Sequence, residues 1–164
     1  WFTDNGRDWL NDDGPEEELN RVTRVGEFFG FPYCHANGIP DPDVSKPNPC
    51  EGVTKPVVTL GAHAAALGMR FYTGSMFPAE YRDTAIVARR GSWNRQKLNG
   101  YDVVRVTPSA DGRSARVDPF ITGFMDPATN KFWGRPVDVL QMADGSMLVA
   151  DEQLGAIYRV SYGR

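Results

Sequence analysis

An all-β chain built from repeated antiparallel units is what this sequence predicts, and three observations predict it. Seventeen glycines and twelve prolines in 164 residues interrupt the chain every ten residues or so, which leaves little room for long helices. The apolar runs between them are short and rich in Val, Ile, Phe and Tyr, the residues that suit a pleated, half-buried surface. The same ending, Arg-Val after an apolar position, closes "EELNRV" (17–22), "GYDVVRV" (100–106) and "GAIYRV" (155–160), and each copy follows a polar loop. Four-stranded units repeated with loops of variable length point to a β-propeller, in which no unit buries both faces alone and neighbours must stack. A β-sandwich with chance Arg-Val endings is the alternative, and periodicity alone does not separate the two.

Taken in order, "WFTDNG" (1–6) reads as the end of a strand, so residues upstream of Trp1 are expected, and "EELNRV" reads as the next strand. The Pro-rich stretch between Cys34 and Cys50 reads as an extended loop poor in regular structure. Strands follow at "KPVVTL" (55–60), "MRFYTG" (69–74), "TAIVAR" (84–89) and "YDVVRV" (101–106), with "FPAEYRD" (77–83) as a single helical turn or a loop. Asp111-Gly112 marks a tight turn. "PVDVLQM" (136–142) and "SMLVAD" (146–151) flank a second one at Asp144-Gly145, and "AIYRVSY" (156–162) closes the series. Aligning residues 83–106 with 145–160 and with 1–22 superposes strand, polar loop and strand ending in Arg-Val three times, so these loops belong on one face of the disc. The organisation expected is one partial propeller domain over 1–164: the end of one blade at 1–32, the Cys-flanked loop at 33–56, one blade at 57–124, and a last blade without its outer strand at 125–164. Two full repeats and the tail of a third fall short of the 4–8 blades of a closed ring. The expected partners are therefore further blades or copies of the chain itself.

Hydrophobic residues make up 41% and charged residues 24%, a globular composition. The net charge of −3 argues against a general nucleic-acid binder, which needs a basic face. No apolar run is long enough to span a bilayer, and no signal-peptide pattern stands at Trp1.

Four segments carry a resemblance to a known family: "TDNGRDWLNDDGPEEELNRV", "GFPYC", "LGAHAAALGMRFYTGSMFPAEYRDTAIVARRGSWNR" and "WGRPVDVLQMADGSMLVADEQLGAIYRVSY". Together they resemble the C-terminal half of the glucose/sorbosone dehydrogenases, soluble or periplasmic six-bladed propellers that use pyrroloquinoline quinone and calcium. "GRPVDV" and "GSWNR" are most similar to the L-sorbosone dehydrogenase-like branch. The resemblance favours the propeller over the sandwich, with roughly two and a half blades in this chain. It implies part of a quinoprotein sugar or aldose dehydrogenase that oxidises a hydroxyl or aldehyde, passes two electrons to the quinone and then to an external acceptor such as a cytochrome, and is periplasmic or secreted. In the family the general base is a histidine on an earlier blade, so no catalytic residue is expected in this chain and the chain alone should be inactive. The alternative is a propeller binding module that keeps the scaffold without the chemistry.

The same resemblance assigns candidate site residues. A cofactor with three carboxylates needs cations and donors, and calcium takes oxygen ligands, backbone carbonyls included. The Gly6-Arg7 turn matches a loop whose two carbonyls touch calcium, although glucose members place Gly-Pro there. Trp133 and Arg135, in "WGRPVDV", are implied cofactor contacts, because a guanidinium fork grips carboxylates bidentately. Val137 stands where glucose members carry a second arginine. Arg89, Arg90 and Arg95 lie where the family places a cationic contact, and the sequence does not say which faces inward; each is otherwise a solvated loop arginine. His63 lies along the implied pocket wall or packs as a structural histidine, and His35 is given no chemistry. In the acidic run "NDDGPEEELN" (11–20), Asp12, Asp13, Glu17 and Glu18 are either ligands of a second, structural calcium or a solvated loop, and Glu18 matches a carboxylate with that role in glucose members. Cys34 and Cys50 are expected to pair in an oxidising compartment, closing a loop of about fifteen residues for roughly 3 kcal/mol in the chain-entropy model. Free thiols, or a zinc half-site with His35, are the competing readings, and too few ligands stand nearby for zinc.

Overall fold

The computed structural model describes residues 1–163, so Arg164, at the end of the expected last blade, lies outside the described residues. The first sheet joins β1 (Phe2–Asp4), β2 (Glu16–Asn20) and a strand that arrives only after a long excursion over residues 21–57. That excursion holds the two-residue strands β3 (Cys34–His35) and β4 (Ile39–Pro40), is closed by the Cys34–Cys50 disulfide, and leads into β5 (Val58–Ala62). The second sheet is a four-stranded meander of β6 (Ala66–Phe71), β7 (Ala85–Arg89), β8 (Asp102–Pro108) and β9 (Ala115–Ile121). A short pair, β10 (Met125–Asp126) with β11 (Lys131–Phe132), bridges to the third sheet of β12 (Pro136–Gln141), β13 (Met147–Asp151) and β14 (Ala156–Val160). All pairings between these strands are antiparallel.

The three sheets stack face to face, which explains the composition of the middle one. Ile86, Ala88 and Val103 turn one way, onto Val139, Met147 and Val149 of the third sheet. Ala85, Val87, Val104 and Val106 turn the other way, onto Leu19 and Leu60 of the first. Strands covered on both faces read as continuous apolar runs rather than alternating ones, hence "AIVA" and "VV". Each large side chain so buried contributes about 1.5–3 kcal/mol. The outer sheets keep alternation: in β12 and β14, Leu140 and Ile157 are exposed while Val139 is buried.

Inner strands of neighbouring sheets come very close. At Gly68 of β6 an added Cβ would lie 2.6 Å from the Asp138 Cα of β12, so only glycine fits. On the lower edge the buried Tyr72 hydroxyl donates to the Gly145 carbonyl (2.9 Å) and accepts from the Met76 and Phe77 N–H groups, locking the Asp144-Gly145 hairpin onto the second sheet.

The repeated Arg-Val endings lie where the alignment puts them, on the second strand of a hairpin or just past it. Val106 and Val160 pack inward, while Arg105 pairs with Asp118 and Arg159 with Asp144 at the surface. The expected turn in "FPAEYRD" is a 3₁₀ turn at Ala79–Tyr81.

Three expectations are corrected. Residues 57–62 do not open the second blade: β5 pairs with β2 and closes the first sheet, so the boundary falls at residues 63–65. The second strand ends at Asn20, before Arg21-Val22. Strand β9, "ARVDPFI", carries no strand pattern in the sequence because Pro119 and its charged residues mask it; it is an outer strand, where a missing N–H is tolerated.

Candidate functional site

Because successive strands alternate in direction, the connections at residues 5–15, 63–65, 90–101, 122–135 and 152–155 all emerge at one end of the stack. Side chains tie them to one another. The buried Glu17 carboxylate accepts from the Gly6 N–H (2.5 Å) and the Ala65 N–H (3.1 Å), joining the first two loops. Burial pushes this carboxyl up to about 7; the two N–H bonds oppose that, and Asp8 and Asp4 add to it. His63 Nε2–H donates to the Asn11 carbonyl at 2.7 Å, and its Nδ1 lies 3.8 Å from Asp8. Asn94 donates to Asp8 (2.8 Å) and the Gln96 N–H to Asp12 (2.9 Å), fastening the 90–101 loop to the first. Asn130 brackets that loop from the other side, accepting from Leu98 N–H and donating to the Gln96 carbonyl, each at 2.8 Å.

The candidate arginines divide sharply. Arg89 grips Asp102 with two bonds and donates to the Leu60 carbonyl, a brace at the base of the loop. Arg90 reaches across to Glu152 of the third sheet. Arg95 lies against the Ala62 and Lys97 carbonyls and 3.3 Å from Asp13. Arg135 differs. It is 9% exposed, its Nε is buried without a partner, and no carboxylate among the described residues pairs with it. Its guanidinium lies 4.6 Å over the Phe132 ring and 5.4 Å from the Tyr101 ring centre, and the two rings stack at 4.7 Å. Nη2 donates to the Tyr101 hydroxyl at 3.3 Å, and that hydroxyl donates in turn to the Ser92 carbonyl. The Arg135 N–H is fixed by Asp151 at 2.9 Å. A cation held among aromatic rings without a counter-ion is poised for an anionic ligand. Trp133, two residues away, is half-exposed.

Gly6 is packed so that a Cβ would sit 3.0 Å from Pro15 atoms. The Arg7 guanidinium turns away to Asp41 (2.9 Å) and Asp43, neutralising its charge and pinning the excursion to the rim. His35 shares Asp41 at 2.9 Å; its hydrogen bond first, then that of Arg7, holds the Asp41 carboxyl well below the usual range. Glu18 borders the Gly6 turn through a small cavity shared with Asp4 and Asn5. It is buried, accepts from Asn20 Nδ2 at 2.7 Å, and lines a cavity of about 490 Å³ with His35, Asn37, Lys55 and Thr59 beneath the disulfide. Burial, and more weakly Asp4, push its carboxyl up, against the Asn20 hydrogen bond. Among the described residues no three His, Cys, Asp or Glu side chains converge to hold a metal ion. Sequence reasoning picked out Arg135 but missed Tyr101, Phe132 and Asp151, which build its seat. Only their assembly shows them, since Tyr101 and Asp151 lie in stretches that read as plain strands.

A family model described as TrAA12-like matches residues 40–162. The chain belongs to this family. A Borreliella burgdorferi protein without an assigned role is 38% identical over 164 residues, 99% of this chain and 43% of that protein. The pyrroloquinoline quinone-dependent pyranose dehydrogenase of Coprinopsis cinerea is 31% identical over 144 residues, 77% of this chain and 17% of that enzyme. Among solved structures, a calcium structure of the Trichoderma reesei AA12 enzyme aligns with TM-score 0.64 at 20% identity, over 92% of this chain and 44% of that one. The holo quinone domain of the Coprinopsis dehydrogenase gives 0.62 at 23%, over 93% and 46%. The soluble aldose sugar dehydrogenase of Escherichia coli in its apo form gives 0.62 at 22%, over 99% and 45%. These likenesses fix the fold of this TrAA12-like chain as part of a β-propeller, not a sandwich. The chain spans less than half the length of the relatives it matches.

Proposed function

We propose that the whole protein carrying this TrAA12-like chain oxidises a sugar hydroxyl or aldehyde, sorbosone-like, with pyrroloquinoline quinone, and that this chain supplies part of the cofactor's seat. The observation that carries the proposal is Arg135: a buried guanidinium with an orphaned Nε and no carboxylate partner among the described residues, which fits a planar polyanion. When bound, the quinone supplies the two-electron acceptor, which an external carrier such as a cytochrome would empty. Arg135 binds a carboxylate, with Trp133 at its edge, and Phe132 and Tyr101 keep water from the guanidinium. Arg90 and Arg95 stand on the rim, each paired with a carboxylate, while His63 holds the wall through Asn11. Calcium would take the main-chain oxygens of Gly6 and Arg7. The Arg7 charge is already cancelled by Asp41 and Asp43, and the Asp4 and Asp8 carboxyls stand beside that turn. Glu18, in the cavity beneath the disulfide, is the candidate for a second calcium. The disulfide supports a periplasmic or secreted location.

Two features favour a non-catalytic binding module instead: Val137 offers no second guanidinium, and every other candidate arginine is engaged by a carboxylate. Titrating the full-length apoprotein with the quinone and calcium separates the two. Arg135→Ala should weaken quinone binding by about 1.5–3 kcal/mol, the range for hydrogen bonds to charged groups. Wild-type binding of the quinone by the variant would remove Arg135 from the site.

A further inference from the structure

Two tryptophans on the rim have no structural task. Trp9, in the 5–15 loop, is 74% exposed, and Trp93, in the 90–101 loop, is 55% exposed. Their rings meet edge to face at 4.9 Å, at 84° to one another. Trp9 is held at φ +65°, a left-handed backbone that a bulky residue adopts rarely and at a cost. The loops on either side are fixed by the Asn94–Asp8 and Gln96–Asp12 bonds, so the pair is presented rigidly. It also adjoins the site. Asp8, next to Trp9, faces His63, and Ser92, next to Trp93, accepts from the Tyr101 hydroxyl that receives Arg135.

We propose that Trp9 and Trp93 form a stacking platform for a neutral saccharide ring beside the Arg135 site; this rests on the sugar-oxidising reading above. Roughly 300 Å² of indole is open, taking about 250 Å² for a whole tryptophan. That suits one or two sugar rings and is well short of the ~800 Å² a stable protein partner covers on each side. The apolar C–H face of a pyranose lies against an indole face, while the ring's hydroxyls need acceptors and donors at the edge. Asp8, Asp12, Asp13, Asn94 and Gln96 stand in these two loops to provide them, and their charge disfavours an anionic ligand. A platform beside the reacting position favours oligosaccharides over monosaccharides.

The test is calorimetric and tryptophan-fluorescence titration of the full-length protein with cellotetraose and with glucose. Trp9→Asn, whose side chain suits the left-handed backbone, and Trp93→Ala should each weaken cellotetraose binding about two- to tenfold, the span of one aromatic contact. Trp93→Phe should recover most of the loss, whereas Trp93→Leu, equally apolar but without a π face, should not. Unchanged affinity in Trp9→Asn and Trp93→Ala overturns the platform, as does a wild-type protein that binds neither saccharide. Sugar oxidation by the quinone-loaded enzyme is measured in parallel with an artificial electron acceptor. Oxidation with unaltered binding in the variants sinks the platform alone. Tryptophan-dependent binding without oxidation supports the platform and sinks the oxidation reading.

Discussion

Replacing Asp151 with alanine should unseat Arg135 without touching the guanidinium. Asp151 is only 3% exposed, and its Oδ1 accepts from three main-chain N–H groups: Arg135 and Gln153 at 2.9 Å, and Leu154 at 3.2 Å. Its Oδ2 accepts from the Tyr158 hydroxyl at 3.1 Å. Gln153 and Leu154 lie on an exposed turn, where water takes over their N–H groups. The Arg135 N–H is left wanting, at about 1–3 kcal/mol for a donor stranded away from water, while the half-buried Tyr158 hydroxyl turns to solvent. Asp151→Ala should therefore cost about 2 kcal/mol, and Asp151→Asn, which keeps one acceptor and loses the charge, about 1 kcal/mol. Burial pushes the Asp151 carboxyl up, but the bonds from Arg135, Leu154, Tyr158 and Gln153 outweigh it and leave the group below its ordinary value of 3.8. A carboxyl depressed in the folded state stabilises fully above the unfolded value, and that contribution is lost as pH falls through the folded one. Wild type should accordingly lose stability more steeply than Asp151→Asn below about pH 4. Equilibrium denaturation of the full-length proteins at pH 7 and pH 3 reads both effects. An alanine variant within about 0.5 kcal/mol of wild type, the usual spread of a neutral surface change, would refute this account of the Arg135 seat.

Three further outcomes are expected. Native protein from an oxidising compartment should have a mass two hydrogens below the reduced chain, with Cys34 and Cys50 in one crosslinked peptide; Cys50→Ser should cost about 3 kcal/mol for a loop of this length, and two alkylatable thiols in native protein would count against it. Asp41, held low by His35 and Arg7, should keep the 21–57 excursion on the rim at every pH above about 4 and release it as pH falls further, so pepsin should cut within 21–57 at a higher pH in Arg7→Met than in wild type. Identical cleavage profiles would show that this ion pair does not pin the excursion. Residues 1–164 produced alone leave Leu140 and Ile157 on an open sheet face and β14 as an unpaired edge, so light scattering should find self-association; a sharply melting monomer would show that the stack closes its own faces.

How much of this the sequence discloses depends on the kind of signal each element leaves. The middle sheet was legible because burial on both faces writes continuous Val and Ile runs, and the hairpins at Asp111-Gly112 and Asp144-Gly145 because a tight turn demands those residues. Strand β9 was not, since an outer strand tolerates Pro119 and exposed charge and so looks like a loop. The β5 boundary was misplaced because 37 residues intervene before it pairs back onto β2, and local pattern holds no record of so distant a partner. The site divides along the same line. Arg135 stands in a recognisable motif, but what makes it distinctive is the absence of a counter-ion among the described residues, and that is a property of everything around it. Arg89, Arg90 and Arg95 look equally available as letters. Only the fold shows that Asp102, Glu152 and Asp13 have claimed them, and that the guanidinium best able to meet an anion is the one whose neighbours are Phe132 and Tyr101.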